Sequence, residues 1–301
     1  LKEKAARFVL RLLEAIPLPW LAVFCEGVML LVWAIDRKHR RIARINLRIA
    51  FPDMGDAEAA RIIRKCYQRM GTSAAEFIHL PKMDDAYLRE HVRIEGAEFV
   101  RDSMERRGMP AMVMTGHFGN WELQSHAYGK LVAPLAFIVR PLKNTTFDAI
   151  VTERRECVGN IVIRKAESAK GVMRILRKHI MVGILIDQNV DRHNGVLVDL
   201  FTRKAYTTFG IARLALAMRA AVHPGFIFRD PHRKFHHVLR FGPAVAIDFD
   251  APRDEEVPRI TRRCNEELEK AIRQAPDHWM WFHRRWKTRP VGERDVYEEV
   301  R

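Results

Sequence analysis

The chain has 301 residues, 48% hydrophobic and 30% charged, with 52 basic against 37 acidic side chains and a formal net charge of +15. That composition excludes a disordered chain, allows one large α/β domain or two small ones, and calls for an anionic partner. The four cysteines, Cys25, Cys66, Cys157 and Cys264, lack the spacing of a zinc site or a disulfide framework, so a reducing compartment is expected.

Lys2 to Ala15 reads as a basic amphipathic helix. Leu18 to Ile35 follows, 18 mostly apolar residues behind Pro17 and Pro19. Its length suits a transmembrane anchor, a signal peptide, a membrane-surface helix or a buried core helix. No small-residue cleavage site is evident, which argues against a removed signal. Its Leu, Ile, Val and Phe side chains favour insertion by roughly 3–5 kcal/mol, and Glu26 opposes it by about 2.5–3.5. Cations flank both ends, which does not suit a clean crossing, so the expectation is a helix lying in or shallowly entering the cytoplasmic leaflet. Asp36 to Pro52 interleaves Arg40, Arg41, Arg44 and Arg48 with apolar residues and reads as a helix with a cationic face. Residues 1–52 are thus expected to be membrane-associating helices, and 53–301 an α/β domain. That domain should begin with a long helix from Asp56, as its cap, to Leu80 before Pro81.

From Val92 strands and helices alternate. Strands are expected at Val92–Ile94, Ala111–Thr115, Leu135–Val139, Ile161–Ile163, Met181–Ile186, Gly225–Phe228 and Val238–Phe241. Helices are expected at Ala97–Arg106, Trp121–Leu131, Thr145–Cys157, Ser168–His179, Thr208–Arg219 and Glu255–Gln274. The pattern predicts a mostly parallel central sheet flanked by helices, its last two strands forming an antiparallel edge hairpin.

The segment from Ala111 to Glu122 is a buried strand, a turn broken by Gly116 and Gly119, and a helix start. Five residues separate His117 from Glu122, about 140° in a continuous helix. With His117 in the turn, however, Glu122 can reach back to the imidazole and make a general base for a substrate hydroxyl. Arg140 and Asp187 follow two further strands, so three polar groups meet at strand C-terminal ends, where open α/β sheets bind ligands. The bland alternatives are a turn cap for His117, a helix-start carboxylate for Glu122, a strand-end salt bridge for Arg140 and a turn cap for Asp187. His232, His236 and His237 are expected to be surface histidines on a hairpin, not metal ligands. Trp279, Trp281 and Trp286, interleaved with cations, suit base stacking, a membrane interface or an aromatic core.

Gly116-His-Phe-Gly-Asn-Trp-Glu122 resembles the His-x4-Asp/Glu motif of the glycerolipid and lipid A acyltransferase superfamily, and its flanks are most similar to the bacterial lipid A (late) acyltransferases. Asn46-Leu47, Phe51-Pro52, Val139-Arg-Pro-Leu142, Ile186-Asp-Gln188 and Trp279 to Trp286 are similar to further blocks of that family, in order. The resemblance implies acyl transfer from acyl carrier protein or acyl-CoA to a hydroxyl of an anionic glycolipid. It places the enzyme on the cytoplasmic face of the bacterial inner membrane, with no cofactor, metal or nucleic acid. It implies His117 and Glu122 as catalytic residues, and Arg140, Asp187, Asn120, Arg154 and Gln188 as substrate-binding ones. The alternatives are a hydrolase on the same dyad, or a non-enzymatic basic protein that binds membrane or nucleic acid.

Overall fold

The computed structural model describes residues 2–164 and 168–298. Helices α1 (Lys2–Ala15), α2 (Leu18–Ile35) and α3 (Arg37–Ala50) precede a long helix, α4 (Asp56–His79), and a short one, α5 (Asp85–His91). Then come β1 (Val92–Glu95), α6 (Ala97–Arg101), β2 (Ala111–Thr115), α7 (Trp121–Leu131), β3 (Ala136–Val139) and α8 (Thr145–Glu156). They are followed by β4 (Ile161–Arg164), α9 (Ser168–Leu176), β5 (Val182–Leu185), β6 (Gly195–Val198), β7 (Ala205–Thr208) and α10 (Gly210–Met218). The last are β8 (Ala221–Arg229), β9 (His237–Phe241) and α11 (Arg253–Gln274).

Among the described residues, seven strands form one sheet in the order β1-β9-β8-β2-β5-β3-β4. β8, β2, β5, β3 and β4 run parallel; β9 turns antiparallel to β8, and β1 pairs parallel with β9. The β8–β9 hairpin is antiparallel as expected but is not an edge: β8 lies beside β2 inside the sheet, and β1 takes the edge beyond β9. β2 is buried at every position, as a strand is when helices cover both faces. Its side chains alternate, with Met112 and Met114 meeting α9, α10 and α11 while Ala111 and Val113 meet α5, α6 and α7.

The expected elements recur with ends shifted by a few residues. Helix α6 passes at Asp102 into a π-helical turn that ends at Arg106. The cap of α4 is Gly55 rather than Asp56, which is instead the first helical residue and pairs with Arg48. The short helix α5 and the separate β6–β7 hairpin were not anticipated; both are too short to show a period in the sequence.

Helix α4 lies across the C-terminal end of the parallel strands. Its Cys66 thiol donates to the Asp277 carbonyl at 3.4 Å, and its Glu76 carboxylate accepts from Asn120 at 2.8 Å, just beyond the turn that follows β2. Glu76 is the anion of a buried cluster, 2.8 Å from Arg229 and 2.7 Å from His237 Nε2. Desolvation opposes its charge, but those two partners hold its carboxyl well below the usual range. His237 is therefore buried, against expectation, because β9 turns it inward toward Glu76; His232 is exposed and His236 half-buried. Helix α2 packs on the outer side of α4. The approach is closest at Gly71, where an added Cβ would lie 2.6 Å from the Cys25 carbonyl oxygen. Replacing Glu76 by Gln is expected to cost about 3–5 kcal/mol of stability, since Arg229 is left buried without a counter-ion. Glu95→Gln, which loses only surface pairs, should cost less than about 1 kcal/mol. Urea unfolding of the two variants checks the contrast.

Candidate active site

The turn after β2 begins at Gly116, packed so closely that an added Cβ would lie 3.1 Å from the Asp187 carboxylate. Gly119 has φ +60°. A Cβ there would come within 2.0 Å of the Ile227 carbonyl oxygen, so only glycine fits this passage from strand to helix. Asn120 then caps α7, its side-chain oxygen accepting from the Leu123 N–H at 3.1 Å. Its amide group donates to Glu76, and Asn120 is 2% exposed.

His117 sits in this turn and meets Asp187, not Glu122. Its backbone N–H donates to Asp187 Oδ2 at 2.7 Å, and its Nδ1 lies 2.8 Å from Oδ1. Trp279 Nε1 donates to the same Oδ2 at 2.8 Å. β2 and β5 are neighbours in parallel register, with Thr115 opposite Leu185, so the residues that follow both strands converge. An Nδ1–H donor leaves Nε2 with its lone pair. Gln188 Nε2 lies 3.4 Å from that nitrogen, and Trp121 packs edge-on against the ring at 5.1 Å.

Burial opposes a charged imidazole here. The charge and hydrogen bond of Asp187, with the charge of Glu122 behind them, outweigh it and hold His117 above its ordinary value. Desolvation likewise opposes the Asp187 carboxylate, yet His117 and the Trp279 N–H bring it down to about 2. The imidazole is thus a base backed by a carboxylate that stays ionised.

Glu122, in the first turn of α7, faces α8. Arg155 holds it with two hydrogen bonds, Nε to Oε2 at 2.9 Å and Nη2 to Oε1 at 2.5 Å. No hydrogen bond joins Glu122 to His117 among the described residues. The neighbouring Arg154 points elsewhere: it is buried, donates to the Ile78 carbonyl at 2.6 Å and pairs with Glu14 of α1. Consecutive helical residues diverge by about 100°, so only one member of this arginine pair can face the site. Arg140 follows β3, one strand beyond β5, and is exposed, without a hydrogen bond or ion pair among the described residues. Of the predicted set, the fold brings together His117, Asp187, Gln188 and Glu122, and places Arg140 two strands from His117. Asn120 is held by Glu76 and Leu123, and Arg154 by Ile78 and Glu14.

The roles of three residues escaped the sequence reading, which named Trp279 and Asn46 without assigning them a contact. Arg155 adjoins a residue it did single out, and the helical period could have separated the two. Trp279 touches Asp187 across 92 residues of chain, and nothing local announces that contact. Asn46 donates to the carbonyls of Trp281 and His283 at 2.7 and 2.8 Å, which pins the C-terminal run that carries Trp279. That run is an aromatic core: Trp279, Trp281 and Trp286 are all buried. His283 is also drawn in, and burial pushes it down to about 4. The turn's own amides are engaged, His117 N–H by Asp187, Phe118 N–H by the Gly116 carbonyl and Gly119 N–H by the His278 carbonyl. No group of three potential metal ligands occurs among the described residues.

Residues 5–288 match the family described as bacterial lipid A biosynthesis acyltransferase. The chain is 27% identical to the lipid A biosynthesis lauroyltransferase of Escherichia coli K12 over 286 residues, 94% of this chain and 90% of that one. It is 26% identical over 292 residues to the palmitoleoyltransferase of the same organism, with 96% and 92% covered. To its lipid A biosynthesis myristoyltransferase it is 24% identical over 264 residues, covering 88% and 80%. The match runs from the N-terminal helices through the His117 turn to the tryptophan run that holds Asp187, so the chain belongs to the bacterial lipid A biosynthesis acyltransferase family and is an acyltransferase enzyme.

Proposed function

We propose that this enzyme transfers a fatty acyl chain from a thioester, carried by acyl carrier protein or coenzyme A, to a hydroxyl of a lipid A precursor or related anionic glycolipid, at the cytoplasmic face of the inner membrane. One observation carries the reading: His117 turns its Nε2, beside the Gln188 amide at 3.4 Å, away from Asp187 while its Nδ1 is locked on that buried carboxylate. That is the arrangement of a general base with a fixed tautomer. Among the described residues, no cysteine thiol or serine hydroxyl has a hydrogen bond to His117, which favours activation of a substrate hydroxyl over an acyl-enzyme.

In this mechanism Nε2 takes the hydroxyl proton as the oxygen attacks the thioester carbonyl. The tetrahedral oxyanion collapses, the carbon–sulfur bond breaks, and the imidazolium returns the proton to the departing thiolate. Asp187 stabilises the transient imidazolium. Glu122 adds its charge from a position fixed by Arg155. With the amides of His117, Phe118 and Gly119 committed, Arg140 is the exposed cation proposed for the oxyanion or a lipid phosphate. Gln188, beside Nε2, is proposed to orient the acceptor hydroxyl.

His117→Ala should lower turnover by about 10²- to 10⁴-fold with folding intact, measured by mass spectrometry of the acylated glycolipid with acyl-acyl carrier protein and acyl-CoA in parallel. The rate should rise with pH as the imidazole loses its proton, with a midpoint above the ordinary value of about 6.5, because Asp187 favours the protonated form. In Asp187→Asn that midpoint should move to lower pH and the plateau should fall; an upward shift would contradict the assignment.

The arginine pair gives a second contrast. Arg155→Leu should cut turnover at least about tenfold by releasing Glu122. Arg154→Leu should lower stability by about 3 kcal/mol while turnover per folded molecule stays within about threefold. Thermal unfolding alongside kinetics separates the two.

A further inference from the structure

Helix α2 is long and apolar enough to cross a membrane, yet little of it is buried by the protein. Its exposed apolar residues are Trp20, Val23, Phe24, Val28, Leu31 and Ile35. Their spacing of three or four puts them on one face. Phe8, Val9 and Leu12 continue the exposed surface along α1. Helix α1 is fastened to the domain by ion pairs of Arg7 with Glu153 and of Glu14 with Arg154. Phe147, two turns before Arg154 on the same stripe of α8, is 57% exposed.

Among the described residues, the exposed carboxylates of this surface, Glu3 and Glu153, are both paired with Arg7, and the remaining exposed charges are cationic. Lys4, Arg11, Arg37, Lys38 and Lys143 are exposed around the apolar stripe. The carboxylates of α1, Glu3 and Glu14, are engaged by Arg7 and Arg154. The one carboxylate of α2, Glu26, is turned inward, where it accepts from Thr72 at 2.8 Å and Gln68 at 3.0 Å and pairs with Lys234 at 2.8 Å. An apolar stripe with a cationic rim and no free carboxylate complements an anionic bilayer. A second copy of the chain would bring two cationic rims together.

We propose that α1, the outer face of α2 and the start of α8 form one docking face for an anionic bilayer, and that α2 lies in the membrane plane instead of crossing it. This deepens the glycolipid reading above. The inner face of α2 is packed on α4, whose own inner side contacts the turn after β2. A crossing orientation would carry the Glu26 cluster and the charged side chains of α4 into hydrocarbon. Lying flat, α2 puts the bilayer on the side of the sheet where His117, Asp187 and Arg140 emerge.

The test uses the full chain and vesicles of phosphatidylglycerol and phosphatidylethanolamine. The unaltered protein should co-sediment. Phe24→Glu combined with Leu31→Glu should lower partitioning at least tenfold, and Phe147→Glu severalfold, with unchanged circular dichroism. Undiminished partitioning of the double variant overturns the docking face. A dimer that the double variant dissolves, without vesicle binding, assigns the stripe to a second copy and overturns it as well. Nitroxide labels at Trp20→Cys, Val28→Cys and Ile35→Cys, with Cys157→Ser removing an exposed thiol, should report one shallow depth. A deep Val28 label between two shallow ends shows a crossing helix and overturns the in-plane arrangement. Loss of vesicle binding by the double variant with acyl transfer to detergent-dispersed acceptor retained supports the docking face. Vesicle binding without acyl transfer to any glycolipid removes the proposed reaction and leaves the docking face standing.

Discussion

The Asp187 carboxylate joins the parts of this molecule that build the candidate site. It is 3% exposed and accepts three hydrogen bonds, from the His117 backbone, the His117 ring and the Trp279 indole. Those donors come from the turn after β2 and from the C-terminal run, while Asp187 itself follows β5. A buried carboxylate is stable only with such partners, so its ionisation and the position of the imidazole are one constraint. Asn46 and the buried tryptophans act through this carboxylate: they fix the run that supplies its third donor.

A second carboxylate, Glu76, does for the frame what Asp187 does for the site. It holds Arg229, His237 and Asn120, and through Asn120 it fixes the start of α7 that carries Glu122. Helix α4 therefore belongs to both the end of the sheet that carries the candidate site and the seat of α2. The orientation of the apolar surface relative to the site follows from this shared helix. Glu122 and Arg155 complete the layout as a separate bidentate pair, so the negative charge of Glu122 is felt by His117 without a direct bond.

Much of the fold was legible because its elements are periodic. The bounds expected for α1, α2, β2 and α7 match those observed, since each is delimited by a proline, a glycine or a cap. Where the signal was local chemistry without period, it failed: α5 has seven residues, and the β6 and β7 strands have four each. The β8–β9 hairpin was recognisable from its turn, but its place in the sheet depends on pairing between β8 and β2, which are about 110 positions apart in the chain.

The sequence by itself determined the α/β class, the turn that presents His117 and the list of polar residues at strand ends. It did so because strand period, glycine positions and capping residues are local properties. Only the tertiary structure decided which carboxylate meets the imidazole. Glu122 is near His117 in the chain, but a helix start turns it toward Arg155, while Asp187 arrives from an adjacent parallel strand. It likewise decided that Arg155 and not Arg154 faces the site, and that Glu26 points inward and leaves the apolar face of α2 outside. Those outcomes are set by direction and packing, and side-chain direction is fixed only once the layers are stacked.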